Sequence, residues 1–383
     1  MMSHTCSLFT RMCIASGRRT VISAATKEIP EINISPFRVA ESPDGHDTNC
    51  LNRIYTIPPD ITTLLGENVP NELKLQATIF REFGILIRKP GIEIMSYLEQ
   101  ADYTKSINKY ILYGTRGTGK TTTLIHLIHY SLTKHFIVLY LPWVCSWFRF
   151  AKQVEESPLE PGKLDVPNEA VLFLKSFKNL NQLTLEKYDL KVSKEHIWSQ
   201  REVTKCGEPL SNLIEFGIQR SKFACGVISA LVDELKLAST AGKCRTLVVI
   251  DGFNAFTSNC TLIRDENRAF VPPERISITS AFFNSVDKDW CNGAAILTVD
   301  QRASKDRRES DYPTYLLGKK GFEFLDPFIP VRAENYSPEE FKTILEYYKD
   351  RKWIREISPQ GQRELELLSN KNPFELWNCC KPL

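Results

Sequence analysis

The sequence has no C-x-x-C pair, no acidic residue before Glu28, and no apolar run near the eighteen or more residues of a membrane-spanning helix. Its eleven cysteines follow no regular spacing, and the adjacent Cys379 and Cys380 suit neither a zinc site nor an easy mutual disulfide. That set predicts reduced thiols in an intracellular compartment. A bulk positive field is also missing. The formal charge is +3, and Arg11, Arg18, Arg19 and Lys27 all precede the first acid, so the body from residue 28 onward carries −1. Free nucleic-acid binding by bulk charge is therefore not expected, while a local basic patch remains compatible with RNA. What remains is ordinary for a soluble globular protein, 42% hydrophobic and 25% charged over 383 residues, long enough to bury a core without staples.

The acid-free, Arg- and Ser-bearing stretch 1–27 has the makeup of a mitochondrial transit peptide, with an inert basic tail as the alternative. Residues 28–75, rich in Pro, Asn, Asp and Ser, predict an extended arm with few regular elements. Residues 76–335 predict a nucleotide-binding domain, and 336–383 a C-terminal helical subdomain or lid.

The chemistry is concentrated at Tyr110–Thr122. A short apolar run leads into Gly114-Thr115-Arg116-Gly117-Thr118-Gly119-Lys120-Thr121-Thr122 and then into an apolar-periodic segment. This is G-x-x-x-x-G-K-[ST] between a strand and a helix, the P-loop pattern. Amides of the loop and first helical turn lack intrahelical partners and point at phosphates. Lys120 is expected to reach the β- and γ-phosphates, and the Thr121 hydroxyl to ligate Mg²⁺. A second landmark, Arg245–Gly252, places Asp251 at the end of a buried apolar run, where a Walker B carboxylate orients the metal through its water shell. Gly252 stands where many ATPases carry the glutamate that activates water, which argues against fast hydrolysis, and no catalytic residue is identified. Asp300 and Gln301 follow another buried run and could sense a γ-phosphate, with capping or solvation equally open. His126 and His129 lack a third ligand at useful spacing and read as surface or flanking residues.

Runs near 111, 137, 247, 295 and 329 predict an α/β fold with a P-loop NTPase-type parallel sheet of the additional-strand class. A mainly helical insertion is expected at about 142–245, with Trp143, Trp147, Phe148 and Phe150 better suited to packing than to base stacking, and 187–205 solvated. Ser337-Pro338-Glu339-Glu340 marks a helix start.

Four stretches together resemble the death-associated protein 3 family, the P-loop proteins of the mitochondrial ribosomal small subunit. They are the P-loop, Asp251-Gly252-Phe253-Asn254-Ala255, Leu316-Leu317-Gly318-Lys319-Lys320-Gly321-Phe322 with its continuation to Pro330, and Asn335–Phe341. The match covers roughly residues 75–383. The resemblance implies a mitochondrial-matrix protein of the small-subunit head, contacting ribosomal RNA and small-subunit proteins. It also implies a bound GTP or GDP with Mg²⁺, and partners in apoptosis signalling. By position, the phosphate loop is Gly114–Thr121 and the acidic residue Asp251. The N-K-x-D guanine motif has no counterpart, so guanine preference rests on the resemblance alone. Two rivals are an AAA-like mechanochemical ATPase, with Arg302, Arg307, Arg308 or Arg332 as its finger, and a signalling adaptor using the insertion.

Overall fold

The computed structural model describes residues 37–305 and 309–381, so the expected transit segment 1–27, together with Arg307 and Arg308, lies outside the described residues. Residues 37–75 are not the extended arm their composition predicted. They carry β1 (Arg38–Val39), β2 (Ile54–Ile57), α1 (Pro59–Leu65) and α2 (Asn71–Phe80), and with β3 (Phe83–Leu86) they form a sheet ordered β1-β2-β3. The prolines sit where elements begin. Pro59 opens α1 and Pro70 precedes α2, positions that need no amide donor, while Ile54, Tyr55 and Ile57 of β2 are buried.

After α3 (Lys89–Gln100), five parallel strands carry the main sheet: β4 (Asn108–Tyr113) and β5 (Ile137–Leu141), then three later ones. α4 (Lys120–Thr133) joins the first two. The insertion follows as α5 (Cys145–Arg149), the hairpin β6 (Glu155–Glu156) and β7 (Leu164–Asp165), and α6 (Pro167–Tyr188). It continues with the hairpin β8 (His196–Ile197) and β9 (Val203–Thr204), then α7 (Leu210–Gln219) and α8 (Ala224–Thr240). It is mainly helical, as expected. The segment read as solvated instead buries Trp198, whose indole donates to the Thr204 hydroxyl at 2.9 Å and stacks on Phe216.

The sheet resumes with β10 (Thr246–Ile250) and, beyond α9 (Ser277–Ser285), β11 (Gly293–Thr298); after α10 (Pro313–Leu325) comes β12 (Ile329–Arg332). The order across it is β12-β4-β11-β10-β5, all pairs parallel. β11 thus lies between the P-loop strand and the strand ending at Asp251, the additional-strand arrangement the sequence predicted. β5, β10 and β11 are buried along their whole length, because helices cover both faces. Alternate residues feed opposite cores: Ile111, Leu139, Val248 and Ala295 on one side, Leu112, Val138, Val249 and Ile296 on the other. β12 is the edge, where Pro330 costs no ladder bond.

The chain closes with α11 (Pro338–Asp350), α12 (Pro359–Ser369) and α13 (Pro373–Cys379). α11 begins with the expected Ser337 cap, completed into a capping box by Glu340. Phe341, Ile344, Tyr347 and Trp377 pack on Ile54 and Leu86 of the small sheet and on Phe80 of α2. Gly84 permits this approach, since a Cβ there would stand 2.3 Å from the Tyr347 hydroxyl.

His126 and His129 are likewise corrected. Both are buried on α4, at 2% and 4% exposure, because residues 43–55 cover that face. His46 Nδ1 lies 2.9 Å from His126 Nε2, and the Tyr55 hydroxyl 3.2 Å from His129 Nδ1. Among the described residues, no helix is long and apolar enough to cross a membrane.

Candidate nucleotide-binding site

The loop from β4 to α4 depends on its glycines for conformation and space. Gly114, Gly117 and Gly119 adopt φ of +147°, +84° and +89°, the region that side chains resist. A Cβ on Gly114 would stand 2.2 Å from the Ala333 carbonyl, and one on Gly117 2.5 Å from Asn372 Oδ1.

Every carbonyl from 114 to 118 has a donor. The Lys120 ammonium donates to Gly114 O at 2.8 Å and Thr115 O at 3.0 Å. Asn372 Nδ2 donates to Arg116 O at 2.9 Å, the Phe374 amide to Gly117 O at 3.2 Å, and Arg88 Nη1 to Thr118 O at 2.6 Å. With its oxygens engaged by the protein, the loop keeps its amide edge for an anion at the positive end of α4. The Thr118 hydroxyl returns to Thr115 O at 3.0 Å, the Arg116 guanidinium lies 5.2 Å from the Phe374 ring centroid, and Thr122 is half-buried on the first turn of α4.

Thr121 and Asp251 come together as expected, 130 residues apart in sequence: the threonine hydroxyl donates to Asp251 Oδ2 at 2.8 Å. Thr298 donates to the other carboxylate oxygen at 2.5 Å and accepts from the Gly252 amide at 2.7 Å. Burial raises the Asp251 carboxyl above the usual range, against these hydrogen bonds and Lys120. Asp300 ends β11 beside them, 3.1 Å from the Lys120 ammonium and 2.9 Å from Arg302 Nε. Burial alone would raise Asp300, but Lys120 and Arg302 outweigh it and hold it low. It also caps the turn that begins at Gln301, the capping role left open for it in the sequence.

Gly252 has φ +83°, and a Cβ there would meet the Trp143 ring at 3.0 Å. Arg302 covers that indole, its guanidinium 4.6 Å from the ring centroid. Arg332 pairs loosely with Asp311 and Glu334 at 3.9 Å each.

Four contributors escaped the sequence reading. Arg88 is buried, clasps Glu340 through two hydrogen bonds of 2.9 and 3.0 Å, and donates to the Glu334 carbonyl at 2.9 Å. Asn372 caps α13 while reaching the loop, Thr298 orients Asp251, and Trp143 closes on Gly252. Only Asn372 carried a signal, because Asn-Pro marks a helix start; nothing local shows where that start docks.

The residues present fit a nucleotide triphosphate or diphosphate with Mg²⁺. The glycine cradle and Lys120 suit phosphate, and a hydroxyl with a carboxylate suits a hard cation that keeps most of its water. Among the described residues no group of three or more His, Cys, Asp or Glu side chains could hold a metal, so an ion here would depend on phosphate oxygens and water for its remaining ligands.

Comparison with known proteins follows the same lines. The family model for mitochondrial ribosomal death-associated protein 3 matches residues 85–379. The small ribosomal subunit protein mS29 of Bos taurus is 34% identical over 343 residues, 88% of this chain and 86% of that protein. The Mus musculus protein of the same name is 33% identical over 346 residues, 89% and 88% of the two chains. A Walker-type ATPase of Pyrococcus abyssi is a loose structural neighbour, with a TM-score of 0.40 and 14% identity over 75% of this chain and 64% of that one, too distant to argue from. With the family model matching residues 85–379 and a relative this similar along nearly nine-tenths of its length, the chain belongs to the mitochondrial ribosomal death-associated protein 3 family, which sets it among the proteins of the mitochondrial ribosome.

Proposed function

We propose that the chain is a structural component of the mitochondrial small ribosomal subunit that holds a guanine nucleotide and Mg²⁺ as part of its own architecture, turning it over slowly or not at all. The observation that carries this reading is the bracing of the phosphate loop from two sides, by Arg88 on one and by Asn372 with Phe374 on the other. A loop held this way is suited to keeping a ligand. Binding to the folded state alone adds RT ln(1 + [L]/Kd), about 2.7 kcal/mol at a hundredfold excess over Kd. The guanine assignment rests on the family resemblance. Slow turnover is supported by Gly252 and by the Trp143 indole, which leave no side chain to activate water at that position.

Purified full-length protein should melt higher with GTP and Mg²⁺ than without, and more so than with ATP, while phosphate release stays near background. In a sucrose gradient of mitochondrial lysate it should co-migrate with the small subunit. Sustained multiple-turnover hydrolysis, or no thermal shift with either nucleotide, would overturn the nucleotide reading. Migration away from the subunit would overturn the ribosomal one.

A further inference from the structure

Residues 261–271 form a hairpin beside the carboxyl ends of the strands that the nucleotide site does not use. Its arms meet at an Arg264–Phe270 bridge. The Arg268 amide donates to the Asp265 carbonyl, and the Ala269 amide to the Asp265 carboxylate, each at 2.9 Å. At its base the Leu262 amide donates to Phe148 O at 2.9 Å. The platform is thus tied to the core, yet its outer face is apolar and aromatic. Phe270 is 49% exposed, and Phe150, two residues past the anchoring carbonyl, is 72% exposed. Trp147 and Phe148 of the same aromatic cluster point inward, whereas Phe150 follows the end of α5 and stays out.

Cations gather on this face. The Lys305 ammonium lies 3.2 Å and the Arg264 guanidinium 4.6 Å from the Phe270 ring centroid. Among the described residues no carboxylate pairs with Arg264, Arg268 or Lys305; the hydrogen bond of the Arg264 side chain goes to the Arg268 carbonyl, whereas neighbouring Arg302 is spent on Asp300. The Asp265 carboxylate accepts the Ala269 amide within the turn and Glu266 sits at the tip, so two acids stand against the three cations Arg264, Arg268 and Lys305.

Two cations drawn to one ring repel each other unless water or a polyanion lies over them. An apolar protein partner would have to desolvate three cations, and an acidic peptide would leave both phenylalanines without a partner. A single-stranded nucleic acid satisfies both features, with bases on the rings and phosphates on the cations. We propose that this face docks a single-stranded or loop segment of RNA, with bases on Phe150 and Phe270 and phosphates on Arg264, Arg268 and Lys305. The inference deepens the ribosomal reading above and rests on it.

The test has two arms. In fluorescence anisotropy with a short labelled single-stranded RNA, Phe270→Ala in the full-length protein should weaken binding ~10-fold, in the range of one lost base stack, and Phe270→Tyr should restore it. The Arg264→Ala/Lys305→Ala pair should flatten the slope of log K against log salt by about 1.4, roughly 0.7 per phosphate contact on a single strand. Lys349→Ala, on α11, should change neither. In the second arm, ultraviolet cross-linking of wild-type small subunits should attach RNA to peptides containing Phe150 or Phe270. Unchanged affinity in both variant classes overturns the inference, as do cross-links from these peptides to protein alone. Wild-type protein that co-sediments with the subunit but makes no such RNA cross-link sinks this inference only, whereas failure to co-sediment sinks the ribosomal reading itself.

Discussion

Replacing Asn372 with alanine tests whether the C-terminal helices serve the phosphate loop or merely lie near it. The side chain is 8% exposed and makes four hydrogen bonds: Nδ2 to Arg116 O at 2.9 Å and to Asn335 Oδ1 at 3.1 Å, with Oδ1 accepting the Phe374 and Glu375 amides at 3.1 and 3.2 Å. Loss of the N-cap costs about 1 kcal/mol, and each further neutral bond about 1 kcal/mol net. The docking of α13 should therefore weaken by ~2–3 kcal/mol, a sizeable part of a typical stability of roughly 5–15 kcal/mol. The decisive quantity is the difference between melting shifts with and without GTP and Mg²⁺. If only the braced loop binds, apparent affinity falls by the fraction of molecules still braced, and the nucleotide-induced shift shrinks along with the apo melting temperature. Ser358→Ala is the control. It removes a comparable cap, a 3.1 Å bond from the Gly361 amide at the start of α12, without touching the loop. Equal nucleotide-induced shifts in wild type, Asn372→Ala and Ser358→Ala would refute the bracing argument.

Three other outcomes follow from the site and the core. Lys120→Ala should abolish the nucleotide-induced shift and also destabilise the apo protein by about 2 kcal/mol, because the buried Asp300 then keeps only the half-exposed Arg302 as a charged partner; a normal apo melt would count against the ion pair. That pair also has a pH signature: the folded-state value of Asp300 is depressed, so its contribution is present at neutral pH and disappears as pH falls through that value. Gly252→Glu should leave hydrolysis at background and lower stability by roughly 1–3 kcal/mol, since the position combines φ +83° with a Trp143 contact at 3.0 Å; measurable turnover in this variant would remove Trp143 from the argument. Burial depresses His126 to about 3 and His129 to about 4. The unfolded chain takes up protons near pH 6.5 that the folded protein refuses, so stability should fall as pH drops below that value, with a slope approaching 1.4 kcal/mol per pH unit for each histidine. Urea midpoints that stay flat from pH 7 to pH 5 would contradict their burial.

The glycine-rich loop between strand and helix, the five strands, Asp251 beyond the end of β10 and the Ser337 cap were legible in the sequence, because each is specified by neighbours within a few residues: a period, a run length, a capping side chain. The additional-strand order was suggested because the later strand ending before Asp251 does not follow the loop strand directly in sequence, and β11 does lie between β4 and β10. What only the tertiary structure decided lies across long separations. Arg88 reaches Thr118 over 30 residues and Glu340 over 252, and Asn372 reaches Arg116 over 256. The burial of His126 and His129 depended on residues 43–55 folding over α4, and the exposure of Phe150 on α5 ending one residue earlier. Hydrophobic period and capping chemistry state which face of an element is buried and where it starts, but not which other element arrives to cover it. The glycine-rich loop could be read from nine consecutive residues, while its bracing exists only because Arg88 and Asn372, from distant parts of the chain, meet there.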